Sequence, residues 1–376
     1  MICSEPKKIG SLEIKNRFVR SATYERLASE DGSVTDELVQ FYKILAEGGI
    51  GLIITGVAYV QPNGKAYPCQ IGIDRDDVIP GLKKFVKIIH EDGNDCKVAV
   101  QITHSGRQSM VLDNLIAPSA VLESFYNMMP REMTIEEIED LIENFAEASR
   151  RAKEAGFDAV QLQACHGYIL SGFLSPYTNR RTDEYGGTTE NRIKIIEQIY
   201  ERTVEKVGKN FPLLIKMNVN DFLEEGINLD ESKKLAEKFS KIGFAAIEIS
   251  SCMWETAFRT KEEIGWHTFN QQFCHSRVDI NSKDKEAYHL PYAREIKKVI
   301  DVPLILVGGI KSLDVIEEIL AEGSADFVAL SRPLIREPDL PNKWLKGTGE
   351  NTCKCISCNA CFGSVLSGSV RCMQEE

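Results

Sequence analysis

The chain has 376 residues, of which 43% are hydrophobic and 27% charged, proportions ordinary for a soluble globular protein, so disordered and fibrous architectures are not expected. Lysine and arginine number 45 against 56 aspartates and glutamates, and the net charge of -11 repels phosphate backbones and anionic membranes, which argues against a nucleic-acid or membrane partner. Met1 to Gly10 carries Glu5, Lys7 and Lys8 without an apolar run, and no stretch is long and apolar enough to span a bilayer, so the expected location is cytoplasmic.

Along the chain, short apolar runs of strand length alternate with longer segments whose apolar residues recur at three and four. The runs are 18–23, 50–55, 97–102, 159–163, 213–218, 245–250, 304–307 and 327–330. The clearest helix begins at Thr134, where Thr134 and Glu137 have capping-box spacing and Ile138, Leu141, Ile142, Phe145, Ala148 and Ala152 form one stripe. Asp230 and Ser312 are predicted to cap two further helices. Strands hydrophobic at nearly every position need cover on both faces, and eight strand–helix repeats predict an α/β fold, a (β/α)8 TIM barrel over residues 1–346. A doubly wound dinucleotide-binding sheet would need G-x-G-x-x-G between a strand and a helix; the nearest pair, Gly347 and Gly349, sits in a polar segment. The connection from Ser251 to Tyr288, with Trp254, Trp266, His267, Phe269 and Phe273, is either a cover over the barrel mouth or an inserted hairpin. Residues 347–376 are rich in Gly, Ser and Cys and read as an appendage outside the barrel.

Chemistry in such a barrel belongs at the C-terminal ends of the strands. After the fourth strand, Gln163, His166 and Tyr168 put an amide, an imidazole and a phenol within a few residues, suited to binding a developing oxyanion and delivering a proton. After the seventh and eighth, a structural turn explains either Gly308-Gly309 or Ser331-Arg332-Pro333 alone, but together they are expected to form a phosphate site: paired glycines let backbone N–H groups approach an anion, and the guanidinium can fork onto its oxygens. Other strand ends supply Ser21, Ala22 and Thr23, Thr55 and Gly56, Gln101 and His104, and Lys216 and Asn218, among which an amide and a cation are fit to hold the polar edge of a heterocycle.

Asn16 to Thr23, Gln101 to Arg107, His166-Gly167-Tyr168 with Phe173-Leu174-Ser175-Pro176, Asp183 to Gly187 and Ser331-Arg332-Pro333 resemble, in that order, the motifs of the old yellow enzyme family of FMN-dependent ene-reductases. The resemblance implies an FMN-holding barrel in which NADH or NADPH reduces the flavin and hydride then passes to an activated alkene, a small-molecule substrate such as an α,β-unsaturated carbonyl. It implies that His166 binds the substrate oxygen, Tyr168 protonates the α-carbon, Gln101 and Lys216 hold the isoalloxazine edge, Ala22, Thr23 and Gly56 line the flavin, and Gly308, Gly309, Ser331 and Arg332 hold its phosphate. Gln163 stands where many relatives carry a His, and Tyr24 where they often place a Thr or Cys. Two rival readings are an amine dehydrogenase or demethylase, and an electron-transfer module; a homo-oligomer and a redox partner protein are both compatible with the sequence.

Five cysteines crowd between Cys353 and Cys372. Cys355, Cys358, Cys361 and Cys372 have ferredoxin-like spacing, and a similar arrangement in larger relatives of the family, the 2,4-dienoyl-CoA reductases among them, holds a [4Fe-4S] cluster. Their run resembles C-x2-C-x3-C, one residue longer than here, so the cluster, a structural zinc ion and thiols without metal all stay open.

Overall fold

In the computed structural model, residues 1–266 and 276–374 are described. Eight parallel strands, β1 (Phe18–Arg20), β2 (Leu52–Tyr59), β3 (Lys97–Thr103), β4 (Ala159–Ala164), β5 (Leu213–Asn218), β6 (Ala246–Ser250), β7 (Leu304–Val307) and β8 (Phe327–Leu330), each pair with their neighbours. Pairing of Val328 with Phe18 and of Leu330 with Arg20 closes the sheet, giving the expected barrel, and every predicted strand overlaps an observed one. The helices α1 (Asp36–Glu47), α2 (Ile79–Asp92), α3 (Ile135–Ala155), α4 (Thr189–Val207), α5 (Leu229–Ile242), α6 (Leu290–Ile296) and α7 (Leu313–Ala321) cover it.

The α3 capping box is present: Glu137 N donates to Thr134 Oγ1 at 3.2 Å and Thr134 N to Glu137 Oε2 at 2.9 Å. The predicted cap of α5 is displaced, because Asn228 Oδ1 accepts from Glu231 N at 3.0 Å and Asp230 falls inside the first turn, where its charge favours the helix dipole. Ser312 stands at the start of α7, but its hydroxyl donates to Glu286 at 2.6 Å rather than capping. Among the described residues no helix is long and apolar enough to cross a membrane.

Alternation along each strand sorts side chains into two layers. On β5, Leu213, Ile215 and Met217 join the core beneath the helices, whereas Leu214 points inward to meet Val19, Ala159, Phe327 and the hairpin residues Ile9 and Ile14. Further along the same inward rows the residues become polar, so the barrel is apolar at its base and hydrogen-bonding at its mouth. The long segment after β4 is fixed by two buried guanidinium groups: Arg181 donates to Pro118 O at 3.0 Å and Met133 O at 2.7 Å, and Arg192 donates to Leu174 O at 2.8 Å. The Asn179–Gly187 motif therefore braces the loop carrying His166 and Tyr168.

After α8 (Arg332–Arg336) and α9 (Leu340–Lys346) the chain turns back, and α10 (Ala360–Ser367) lies against the loop that follows β1. Arg26 Nη1 donates to Val365 O at 2.7 Å and Leu366 O at 2.8 Å, and Val370 N donates to Glu25 O at 3.0 Å. The Arg26 bonds satisfy carbonyls that the helix C-terminus leaves open, and together with the Val370 bond they hold α10 beside the barrel mouth. In the connection after β6, Trp254–Phe258 forms a short 3-10 helix; His267, Phe269 and Phe273 lie outside the described residues.

Candidate active site

A cavity of about 770 Å3 opens at the C-terminal ends of the strands, within the size range of small-molecule sites. Ala22, Thr23, Gln101, Gln163, His166, Tyr168, Lys216, Gly308, Gly309, Ser331 and Arg332 all line it. Gly56 does not. It sits in a register shift of β2 between Ile54 and Val57, its N–H donates to Tyr42 Oη at 2.6 Å, and a Cβ there would come 1.9 Å from Glu25 Oε2. Its lack of a side chain serves the packing of Glu25 behind Thr23.

The floor is a buried polar layer. Lys216 Nζ donates to Glu248 Oε1 at 2.8 Å and to Ser21 Oγ at 2.9 Å, and Ser21 Oγ donates to the same carboxylate at 2.6 Å. Glu248 Oε2 accepts from Gln161 Nε2 at 2.9 Å, and Gln161 Oε1 accepts from Gln101 Nε2 at 2.6 Å. Sequence reasoning missed Gln161 and Glu248. The signal was there in Ile247-Glu248-Ile249, a charge in an otherwise apolar strand, which is costly unless paired. The pairing fixes Lys216 and Gln101 before any ligand arrives.

Above the floor stand the three groups after β4. His166 holds a left-handed backbone, φ +64, with its N–H on Asn218 Oδ1 at 3.2 Å and its Nε2 2.6 Å from Ser250 Oγ. Gln163 Oε1 is buried without a hydrogen-bond partner although the residue lines the cavity. Tyr168 is buried, and its hydroxyl is bonded to that of Tyr67. Burial drives the Tyr168 phenol well above its ordinary range, which keeps it protonated and able to donate. Tyr24 donates to Pro68 O and stacks on Tyr67 with centroids 4.6 Å apart.

Gly308 and Gly309 have φ +136 and +71, and a Cβ on Gly309 would press on the Tyr288 ring at 2.8 Å. Thr23 Oγ1 lies 2.7 Å from Ser331 Oγ, joining the ends of β1 and β8, and Arg332 donates to Arg277 O at 2.8 Å and to Asn359 of the tail. No Asp or Glu is among the described residues lining the cavity of this acidic chain, whereas Arg26, Lys216, Lys311 and Arg332 are. The outer wall is apolar: Tyr67, Tyr126 and Trp254 from the barrel loops meet Phe362, Val365 and Leu366 of the tail. A flavin and its phosphate fit this lining: two glycines clear the backbone, two hydroxyls and a guanidinium surround the space for the phosphate, and the Gln163 acceptor and the Lys216 cation of the floor line the same cavity.

Cys355, Cys358, Cys361 and Cys372 line one small hollow together with Arg332 and Arg336, and Arg336 Nη1 lies 3.3 Å from Cys372 Sγ. Burial pushes the Cys361 thiol up to about 11 against the opposing pull of the Arg332 guanidinium, with the other three thiols adding to the rise. Among the described residues no three His, Cys, Asp or Glu come together at the spacing of a single metal ion. Arg332, Ile335, Asn359 and Cys361 line both this hollow and the large cavity, so one wall separates the two.

The model of the NADH:flavin oxidoreductase / NADH oxidase family matches residues 4–351. An NADH oxidase of Thermoanaerobacter brockii is 37% identical over 370 residues, covering 97% of this chain and 54% of that protein. Among solved structures, a 2-naphthoyl-CoA reductase complex has a TM-score of 0.89 at 27% identity, covering all of this chain and 57% of that one. The histamine dehydrogenase of Rhizobium sp. 4-9 has a TM-score of 0.86 at 26% identity, covering 100% and 52%. The chain thus spans about half the length of these relatives. With its barrel, its motifs and a family match over most of its length, the chain belongs to the NADH:flavin oxidoreductase / NADH oxidase family, the old yellow enzyme family that its motifs resemble.

Proposed function

We propose that this oxidoreductase holds FMN across the barrel mouth and, with NADH or NADPH as reductant, reduces an activated alkene such as an α,β-unsaturated carbonyl. The observation that carries the reading is a cavity with cations but no carboxylate among its described lining residues, under a phenol held in its acid form. A cationic amine would enter without a counter-charge, whereas an electron-poor carbonyl gains from every group that faces it. When bound, FMN supplies the hydride and electron-pair chemistry. Gln101 and Lys216, anchored through Gln161 and Glu248, orient the polar edge of the ring, and Thr23, Gly308, Gly309, Ser331 and Arg332 hold its phosphate. His166 and Gln163 then bind the substrate oxygen, polarising the double bond, and Tyr168 gives its proton to the α-carbon. Gln163 cannot become cationic, so it offers the oxyanion a hydrogen bond from its amide N–H and no charge.

Cys355, Cys358, Cys361 and Cys372 are proposed to hold a [4Fe-4S] cluster, which would pass single electrons to or from the flavin across the shared wall. Four thiols in ferredoxin-like spacing gathered round one hollow support this reading. Iron and sulfide assay after anaerobic purification tests it; wild-type protein lacking both would remove the assignment, and Cys361→Ser should lose the iron.

A second reading, oxidation of a methylated amine, is favoured by the aromatic residues Tyr67, Tyr126 and Trp254 in the cavity wall, since aromatic rings attract alkylammonium groups. Product analysis with cyclohexenone and with trimethylamine separates the two. Replacing Tyr168 by Phe should slow alkene reduction about a hundredfold or more while leaving flavin reduction by NAD(P)H within severalfold, from the usual worth of a general acid; equal retention of both would make the protein an electron carrier instead.

A further inference from the structure

Tyr67 is outside every motif that points to the site, yet its hydroxyl is the one bonded to Tyr168. It lies after β2, in a loop pinned by Gln70, whose Oε1 accepts from Ala66 N at 2.8 Å and Tyr67 N at 3.1 Å. Its ring is sandwiched into the wall by the Tyr24 stack, and it is only 8% exposed. From this geometry we infer that Tyr67 is the positioning residue for proton delivery, donating its hydroxyl hydrogen to Tyr168 Oη so that the Tyr168 proton is aimed into the cavity and the oxygen left behind is stabilised. The inference rests on Tyr168 being the proton donor.

The direction of the bond follows from the surroundings. Two phenols facing each other share one hydrogen, and although both line the cavity, the one that delivers a proton must keep its own hydrogen free for substrate. The other titratable groups near the pair, Tyr24, Tyr126, Glu123 and Cys165, are acids whose negative forms would oppose a charge on Tyr168. Donation from Tyr67 is the contribution that favours the Tyr168 anion. In the step itself, hydride carries an electron pair to the β-carbon, the Oη–H bond of Tyr168 breaks, and its proton forms the new C–H bond at the α-carbon. The alkene is reduced, the nicotinamide cofactor is the species finally oxidised, and Tyr168 stays anionic, accepting from Tyr67, until water re-enters on product release. Tyr67 keeps its proton throughout.

Tyr67→Phe preserves the ring stack and removes only the hydroxyl. In flavin-loaded protein, stopped-flow reoxidation by cyclohexenone should slow about tenfold to a hundredfold, the usual worth of a hydrogen bond to a charged oxygen, and its solvent deuterium isotope effect should rise because proton transfer becomes the slower event. Flavin reduction by NAD(P)H should change less than twofold. In flavin-free protein carrying 13Cζ-labelled tyrosine, the Tyr168 resonance, identified by its loss in Tyr168→Phe, should shift in Tyr67→Phe. A structural role would lower stability and leave the isotope effect alone. An unchanged isotope effect in Tyr67→Phe, with Tyr168→Phe strongly impaired, overturns the inference while sparing the proton-donor reading; an unimpaired Tyr168→Phe overturns both.

Discussion

The Lys216–Glu248 pair offers the sharpest test of how the site is built. At 2.8 Å and an effective dielectric of 20 the two charges attract by about 6 kcal/mol, most of which offsets the cost of drying two ions at 6% and 0% side-chain exposure. The net worth of the pair is therefore small, but the cost of breaking it is not. Glu248→Gln strands a buried ammonium, Lys216→Met strands a buried carboxylate, and each single change should cost about 3–5 kcal/mol. The double variant removes both ions and leaves Gln161 an amide to bond with, so it should recover most of that loss and stand within about 1–2 kcal/mol of wild type. Urea unfolding of flavin-free protein, followed by tryptophan fluorescence, measures all four corners of the cycle. Flavin affinity should not recover in the double variant, because Lys216 is the cation offered to the ring. Single losses below about 1 kcal/mol, or a double loss equal to their sum, would show that the layer is not a coupled ion pair and that the orientation of Lys216 is not preset.

Three further outcomes are expected. Gly309→Ala forces a Cβ into a left-handed backbone and against Tyr288, so the affinity of flavin-free protein for FMN, read by quenching of flavin fluorescence, should fall about tenfold or more. Burial lowers the His104 imidazole to about 3, so its neutral form is favoured in the fold; stability is held above pH 6.5, drops by about 2 kcal/mol from this group between pH 6.5 and 5, and keeps falling towards pH 3. His104→Asn, retaining an acceptor for Gly106 N, should flatten that part of the pH–stability curve, and an unaltered slope would assign the acid lability elsewhere. Arg26→Ala frees the Val365 and Leu366 carbonyls, and hydrogen exchange across 360–370 should accelerate at least severalfold, with unchanged protection counting against the tail being held by this contact.

What could be read from the chain depended on the range of the interaction. The eight strands were legible because burial on both faces leaves continuous apolar runs, and the α3 start because its cap is made within four residues. That Gly308, Gly309, Ser331 and Arg332 share one rim was legible because strand ends converge in any barrel. Glu248 was not, since its partners Ser21, Gln161 and Lys216 come from three other strands and no local pattern joins them. Tyr67 escaped for the same reason: it touches Tyr168 across 101 positions of sequence. The register shift inside β2 that sets Gly56 against Glu25 is invisible in composition, and so is the contact of the tail with Arg26, 339 residues from Val365.

That last attachment sets an order of assembly. A growing chain can complete all eight strands and present an open bowl before residues 360–370 have been made, and only then does the final wall swing in beside Arg26 and Asn359 meet Arg332. Because Phe362, Val365 and Leu366 form part of the cavity wall, a ligand that arrives before the helix docks meets a wider opening than one that arrives later. Newly synthesised chains should accept their cofactor faster than mature, emptied ones.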